Sequence, residues 1–254
     1  MSDFTTRAGI ARIASATIVA CGLAVPAWAQ AQPAAPPPDW TGSAGAGISV
    51  TNGNSDTVNY NLAFELKHDP MTRNVIKATG LYLRGTQEGS LTVNRTSLGL
   101  RDEYELSSRT FLFGQVEYLR DTFKLIDYLV APTGGIGFKI VDTERTQYAV
   151  DVGVGASWEK NPGLDTRTNA VISAGEKLTH QFTPTATFKH AATALWTADD
   201  FEDGLYTVSI GLATKITERV QLTIDVLDTY KNLPPTPETK KNDVALVTAI
   251  AASF

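Results

Sequence analysis

The last eleven residues of the chain, 244–254, alternate between large and small side chains. Successive side chains of an extended strand point to opposite sides, so residues two apart share a face. This stretch therefore predicts a β-strand with two different faces. The large apolar face comprises Val244, Leu246, Ile250 and Phe254, and the small face comprises Ala245, Ala249, Ala251 and Ser253.

Similar segments of about ten residues recur from Trp40 onward, separated by turn residues, with no helical periodicity of useful length. The pattern predicts an all-β fold, a transmembrane antiparallel β-barrel of about twelve strands, an even number as in bacterial single-chain barrels. We expect the last strand to close the barrel against the first. The predicted strands cover residues 40–51, 57–67, 74–85, 94–106, 110–120, 128–140, 146–158, 168–178, 181–196, 204–216, 220–230 and 243–254.

The connections between these strands alternate in length. Short periplasmic turns at one end and longer extracellular loops at the other are typical of outer-membrane barrels. The predicted turns lie at 69–73, 107–109, 142–145, 179–180 and 217–219, and the predicted loops at 52–56, 86–92, 121–127, 161–167, 197–203 and 232–242.

Aromatic residues fall at the two ends of the predicted strands rather than at their centres. Tyr and Trp prefer the membrane interface because their rings are apolar and their polar tips need water. Two aromatic girdles are therefore predicted around the barrel. Their members are Trp40, Tyr60, Tyr82, Tyr104, Tyr118, Tyr148, Trp158, Trp196, Tyr206, Tyr230 and Phe254.

The face opposite the apolar one is polar and carries charges of both signs, which predicts a wet lumen with ion pairs. Leu81, Leu83, Phe111 and Phe113 share this inward parity, so a register error or a bulge is an alternative in those two strands. The charged residues expected to face the lumen are Glu65, Lys67, Arg101, Glu103, Glu105, Glu117, Asp151, Lys177, Lys189, Lys215 and Asp225.

The first 29 residues predict a signal peptide. Arg7 and Arg12 precede an apolar run over 13–25, and the following Ala-Trp-Ala at 27–29 fits the rule for cleavage. The alternative is a lipidated Cys21, because the residues before it are loosely similar to a lipobox. We favour cleavage after residue 29, since the A-x-A site lies downstream of a complete apolar run.

Residues 30–39 are rich in Pro and Ala and predict an extended periplasmic linker, which leaves 40–254 for the barrel. The net charge of −5 argues against nucleic acid as a partner, and the single Cys excludes an internal disulfide framework. The expected partners are outer-membrane lipid, lipopolysaccharide and the barrel-assembly machinery. The assembly machinery would recognise the C-terminal strand, with Phe254 as the assembly signal.

Three stretches resemble the YdiY-like family of salt-induced outer-membrane proteins, whose function is unknown. They are the Gly-rich first strand with its Gly-Asn-Ser-Asp turn at 40–57, the Tyr-Leu-Arg-Asp-Thr-Phe at 118–123, and the segment 137–146. The resemblance implies an outer-membrane barrel. It supplies no catalytic residue, substrate or cofactor.

Candidate chemistry is sparse in this sequence. His68, His180 and His190 have no serine nearby at strand spacing, whereas nucleophilic catalysis needs a base within hydrogen-bond reach of a nucleophile. Acidic residues at 199–203 could offer oxygen ligands to a divalent cation, but they lack the spacing of a calcium loop, so a solvated loop is favoured. We expect no catalytic, cofactor-binding or metal-binding residues, and no enzyme.

Three functions remain open for a barrel of the bacterial outer membrane. The first is a narrow, porin-like conduit for ions or small solutes, which the polar inward face favours. The second is a structural or envelope-stress barrel whose lumen is filled by its own side chains. The third, a hydrolase, is the least favoured.

Overall fold

The computed structural model describes residues 39–52, 57–87 and 90–254, and these form the unit analysed below. The predicted signal peptide, 1–29, lies outside the described residues, and so does the predicted linker except for Asp39. The described residues include no helix that is long and apolar enough to cross a membrane.

Twelve antiparallel strands form a closed barrel in which each strand pairs with its neighbours in the sequence and β12 pairs with β1. The predicted fold class and the predicted closure are therefore confirmed. The strands are β1 (Trp40–Asn52), β2 (Thr57–His68), β3 (Asn74–Gln87), β4 (Ser90–Glu105), β5 (Thr110–Asp121), β6 (Ile126–Asp142), β7 (Thr146–Lys160), β8 (Arg167–Gln181), β9 (Ala186–Thr197), β10 (Asp200–Lys215), β11 (Val220–Lys231) and β12 (Asn242–Ser253).

The last strand shows why the alternating pattern produces a barrel. Ala245, Val247, Ala249 and Ala251 are buried on the inner side, whereas Ile250 is 61% exposed on the outer side. The outer face is thus apolar and the inner face is enclosed. This is the reverse of a soluble sandwich, in which the large apolar side chains meet in the core.

The seam between β1 and β12 depends on small residues. Gly47 pairs with Ala249, and a Cβ atom at position 47 would lie 1.7 Å from the carbonyl oxygen of Thr248. Phe254 and Gly42 exchange two backbone hydrogen bonds of 3.1 Å beyond the last paired strand residues. Small side chains here therefore serve close approach of the two strands.

The connections define two ends of the barrel, which we call the turn end and the loop end. Turns at 69–73, 106–109, 143–145, 182–185 and 216–219 lie at the turn end, together with Trp40 and Phe254. The described loop-end connections are 122–125, 161–166, 198–199 and 232–241.

Three predicted connections are wrong. Most of the loop predicted at 86–92 belongs to strands, because β3 continues to Gln87 and β4 begins at Ser90. The turn predicted at 179–180 lies at 182–185 instead, so His180 belongs to β8. Pro184 explains the position, because proline has no N–H to donate to a ladder, and Phe182 N and Ala186 N close the turn through backbone bonds. The loop predicted at 197–203 is only two residues long, because β10 begins at Asp200 and absorbs a register shift before Gly204.

Candidate functional site: the charged lumen

Charged side chains meet across the lumen in the half of the barrel nearer the turn end. Glu65 on β2 accepts hydrogen bonds from Lys177 Nζ on β8, at 3.3 Å, and from Lys189 Nζ on β9, at 3.2 Å. β2 and β8 stand opposite each other in the ring of strands. These pairs therefore bridge the lumen, and all three side chains stay about half exposed to water within it.

Arg101 is the centre of a second group on neighbouring strands. Its guanidinium donates to Glu103 at 2.8 Å, to Gln115 at 2.7 Å and to Asp151 at 2.9 Å, so three strands are joined. The guanidinium carbon also lies 4.0 Å from the ring centroid of Phe113. Arg suits this place because its planar group combines several hydrogen bonds with stacking on an aromatic face.

Two further cations lie on the same inner wall. Lys77 Nζ is 2.6 Å from Glu103, and Lys139 Nζ is bonded to Glu105. The first pair joins the adjacent strands β3 and β4, and the second joins β6 to β4 past β5, so the inner charges are mutually compensated.

Lys67 lies at the rim of the turn end, where its Nζ is 2.7 Å from Asp69. This hydrogen bond lowers the pKa of Asp69 below its usual value. The pair is open to solvent, so it contributes little stability.

The remaining predicted residues are Glu117, Asp225 and Lys215. All three share the inward parity of their strands. Glu117 is an exposed side chain on the inner wall, beside Gly99, which indicates free space for water at this level. Asp225 lies over Gly211, where a Cβ atom would come within 1.9 Å of its Oδ1. Lys215 ends β10 at the turn end and is exposed.

Apolar side chains also point into the lumen. Leu83, Phe111 and Phe113 are only 2%, 3% and 5% exposed, and the ladders next to them run without a shift at these positions. The alternative of a bulge or register error is therefore wrong at these residues, although β3 has a register shift after Gly85 and β5 has one after Leu119. The rings of Phe111 and Phe113 rest against the inward glycines Gly137 and Gly153, which leave room for them.

Two apolar clusters fill the lumen toward the loop end. In the first, Leu83 of β3 packs with Ala245 and Val247 of β12. In the second, residues from β5 and β6 meet residues from β9 and β10, past β7 and β8 in the ring of strands. The expectation of a wet lumen with ion pairs therefore holds only for part of its length. The second cluster contains Leu119, Ile126 and Leu129, with Leu195 and Leu205 packed against them.

Buried polar contacts complete this closure, which we call the seal: the two apolar clusters together with Arg95, Lys124, Thr229 and Lys231. Arg95 Nη1 on β4 donates to Thr229 Oγ1 on β11 at 2.7 Å, and Asp121 lies 3.6 Å from the same nitrogen. The seal therefore contains a direct bond between strands that stand almost opposite each other.

Lys231 forms ion pairs with two carboxylates near the loop end of the lumen. Its ammonium is 3.2 Å from Glu159 and 3.4 Å from Asp203, and Arg167 reaches both carboxylates from the loop end. Asp203 is thus a buried ion-pair partner rather than part of a solvated acidic loop, which corrects the expectation for it. The described residues contain no group of three or more His, Cys, Asp or Glu placed to hold a metal ion.

Lys124 ties the longest described loop to the seal. Its side chain is fully buried, and its Nζ donates to the carbonyl oxygens of Lys240 and Lys241 at 3.1 and 2.8 Å and pairs with Asp243 at 3.1 Å. A neighbouring side chain, Asn161, donates to the carbonyl oxygen of Leu125 at 2.8 Å. Loops 122–125 and 232–241 are therefore linked above the lumen.

Sequence reasoning did not select the buried cations of the seal. Arg95 and Lys231 carry the same inward parity as the predicted set, so extending that parity to the loop ends of the strands would have found them. Lys124 lies in a loop, and no periodicity marks it. Its role depends on a contact with residues more than a hundred positions later in the chain.

The aromatic residues lie on the outer face near the two ends of the strands. Tyr60 and Trp158 near the loop end are 75% and 40% exposed, and Trp40, Tyr104 and Phe254 at the turn end are also exposed. Trp196 donates to the Tyr206 hydroxyl at 2.8 Å, and the Tyr206 ring lies beside that of Tyr230. Tyr82, Tyr118 and Tyr148 are partly exposed on the same outward parity.

Solved structures with a similar fold are outer-membrane barrels. A NanC porin matches 84% of this chain and 98% of its own, with a TM-score of 0.54 and 10% identity. An outer-membrane channel from Pseudomonas putida F1 matches 87% of this chain and 97% of its own (TM-score 0.49, 13% identity). The translocator domain of the autotransporter NalP from Neisseria meningitidis matches 85% and 88% (TM-score 0.49, 11% identity).

No curated protein matches this chain in sequence. A family model does match, over residues 44–254, which is nearly the whole barrel. The chain therefore belongs to the family described as "Protein of unknown function, DUF481".

Proposed function

We propose that this protein is a bacterial outer-membrane barrel whose lumen is closed by its own side chains in the resting state. The apolar outer band, the aromatic girdles and the porin-like fold support the location in the membrane. The closed lumen makes it an envelope barrel that does not conduct freely, rather than an open porin.

The observation that carries this proposal is the bond from Arg95 to Thr229 across the lumen, between buried side chains. The clusters lie near this level, because Leu83 pairs with Arg95 in the ladder and Ile126 pairs with Asp121. The first cluster joins β3 to β12, and the second joins β5 and β6 to β9 and β10. A buried guanidinium together with these packed clusters leaves little space for water or solutes to pass.

A second candidate is a narrow conduit for ions or small solutes that opens when the seal rearranges. Lys177, Lys189 and Glu65 favour it, because they remain about half exposed in the half of the lumen nearer the turn end. Water and ions would enter this half from the periplasm. The overall likeness to a porin supports the same reading.

Recordings from planar lipid bilayers separate the two candidates. We expect purified wild-type protein to give no regular conductance steps at moderate voltage, while a variant with Arg95, Lys124 and Lys231 all changed to alanine conducts. Regular steps from the wild-type protein would overturn the closed resting state and favour the conduit. A matched control changes Lys177 and Lys189 to alanine, which leaves the seal intact and should remain silent.

The same proposal includes the narrower expectations for this chain. Lipopolysaccharide would meet the loop end, and the assembly machinery would bind the C-terminal strand and its Phe254. Expression induced by salt, as in the YdiY-like family, would fit an envelope barrel that stays closed. A reporter fused to the promoter, read at low and high salt, tests that expectation.

A hydrolase receives no support from the described contacts of the three histidines. His68 stacks on Trp40 with ring centroids 4.5 Å apart, and His180 is bonded to Thr146. His190 pairs with a glutamate on the outer wall. None of these contacts places a serine or cysteine beside an imidazole.

A further inference from the structure

The outer wall of β7, β8 and β9 carries a polar cluster near the turn end. The carboxylate of Glu176 lies 2.8 Å from Nε2 of His190 and accepts a hydrogen bond of 3.0 Å from the hydroxyl of Tyr148. Ser173 and Val171 on the same strand are buried on the inner side, so Glu176, at the opposite parity, points outward. The side chain of Glu176 is 37% exposed.

A patch of small residues lies beside this cluster, toward the loop end. Ala192 pairs with Glu176, and Ala194 pairs with Ala174, so the three alanines lie side by side on β8 and β9. We call this surface, Ala174, Ala192 and Ala194, the alanine trough. Larger outward residues border it, with Val152 on β7 and Val208 on β10.

Aromatic side chains close the alanine trough on the side of the loop end. Ala194 pairs with Tyr206, whose hydroxyl accepts the indole N–H of Trp196 at 2.8 Å. Neighbouring strands lie about 4.8 Å apart, so β7 and β10 stand about 14 Å apart across the two floor strands, and the depression between their side chains has room for an extended hydrocarbon chain. Larger apolar residues are exposed on the outer faces of the two flanking strands, for example Val154 on β7 and Ile210 on β10.

A carboxylate on the lipid-facing side of a barrel is unfavourable, because the free-energy cost of a charged group there grows with its depth in the bilayer. Tyr148 lies two residues from the start of β7, which places the cluster close to the membrane interface. Each oxygen of Glu176 accepts one bond from the protein, and a carboxylate has capacity for about four. The side chain is 37% exposed, so the remaining acceptor positions are accessible from outside the barrel.

We propose that this surface binds one phospholipid with a primary-amine head group from the periplasmic leaflet. The ammonium donates to the carboxylate of Glu176, and one acyl chain lies in the alanine trough. This inference rests on the proposed location in the outer membrane. Charge complementarity selects the ligand, because an ammonium with hydrogens can donate to the carboxylate, whereas a quaternary head group has none to donate.

A second copy of the chain fits this surface less well. In a dimer of two barrels with the same orientation in the membrane, the twofold axis lies between the barrels and parallel to their axes. An interface centred on the cluster would therefore bring the two Glu176 side chains together. Like carboxylates in a medium of low dielectric repel each other. A lipid amine meets the same surface with the opposite charge.

Native mass spectrometry of the full barrel tests the proposal with dioleoyl phosphatidylethanolamine and dioleoyl phosphatidylcholine as probes. These lipids share their acyl chains and differ in the amine. We expect the wild-type protein to retain one ethanolamine lipid and to bind it about tenfold more tightly than the choline lipid, as for one charge-assisted hydrogen bond. E176Q should abolish this preference.

The matched control is D102N. Asp102 is another outward carboxylate near the turn end, bonded to Asn74 at 2.7 Å, but it lies on β4 and has no alanine trough. It should keep the lipid preference of the wild type. A192L keeps Glu176 and fills the trough, so it should lose the bound lipid even where E176Q folds poorly.

Equal binding of both lipids by the wild-type protein, or unchanged preference in E176Q and A192L, would overturn the lipid site. Loss of a dimer in E176Q without a change in lipid would overturn it in favour of a second copy. If the protein still fractionates with outer membranes, either result rules out the lipid site without ruling out the membrane location. Release of the intact protein into buffer without detergent would instead overturn the location and the lipid site together.

Discussion

Nη1 of Arg95 lies 2.7 Å from Oγ1 of Thr229, although the two residues are 134 positions apart in the sequence and belong to strands on nearly opposite walls. The bond spans the lumen near the loop end, and both side chains are buried. It therefore links two nearly opposite parts of the barrel wall across the lumen. We therefore expect substitutions in the seal to change permeability and stability more than substitutions in the half of the lumen nearer the turn end.

Shortening Arg95 should open the barrel. R95A removes the side chain that spans the lumen and leaves a gap beside Thr229, so we expect several-fold faster swelling of liposomes in a small sugar. K177A is the control, because Lys177 lies in the water-filled half. Equal swelling rates for wild type, R95A and K177A would mean that Arg95 does not block the path.

Removing the buried cation Lys231 should destabilise the barrel strongly. The side chain of Lys231 is 3% exposed, and K231M leaves the more exposed Arg167 as the cation that still pairs with Glu159 and Asp203. We expect a loss of about 3 kcal/mol in the free energy of unfolding, measured with urea in lipid vesicles.

The comparison for this change is K177M, which breaks an exposed pair in the same lumen. Its side chain is 55% exposed, so the loss should stay below about 1 kcal/mol. Similar losses for K231M and K177M would show that the ion pairs of the seal are no more shielded from water than those below it.

A methyl group at Gly137 should collide with Phe111. A Cβ atom there would lie 2.2 Å from the ring, so G137A should cost about 1–3 kcal/mol of unfolding free energy. G114A, on the neighbouring strand, has nothing within 4 Å of the new methyl and should be neutral or slightly stabilising.

The collision can be verified with a double-mutant cycle. F111L makes room for the methyl, so F111L combined with G137A should be less destabilised than the sum of the two single changes. If the losses in unfolding free energy simply add, the destabilisation by G137A arises from the backbone rather than from the contact with the Phe111 ring.

The side chain of Phe254 should matter for assembly more than for the finished barrel. Its backbone already pairs with Gly42, and its ring is 65% exposed, so F254A leaves the described bonds of the seam in place. We expect a several-fold lower yield of folded, heat-modifiable barrel in outer membranes. I250A, equally exposed on the same face of β12, should assemble normally; a normal yield for F254A would rule out the ring as an assembly signal.

The alternation of side chains was enough to predict the strands, their number, the closure of β12 on β1, and the inward parity of residues such as Glu65 and Arg101. These features are local: a strand turns every second side chain to the same face, and Gly, Pro and Asp mark most of the ends. The turn at 182–185 was misplaced because Thr179 and His180 resemble turn residues, and only the ladder shows that β8 continues through them.

The tertiary structure alone decided what the inward residues do. Pairs such as Arg95 with Thr229, or Lys124 with the carbonyl groups of loop 232–241, depend on which strands face each other across the ring. Parity specifies the side of the sheet, but the diameter of the barrel and the reach of each side chain determine the partner. For this reason the sequence predicts a barrel with a charged interior, and only the packing across the lumen determines which side chains meet near its loop end.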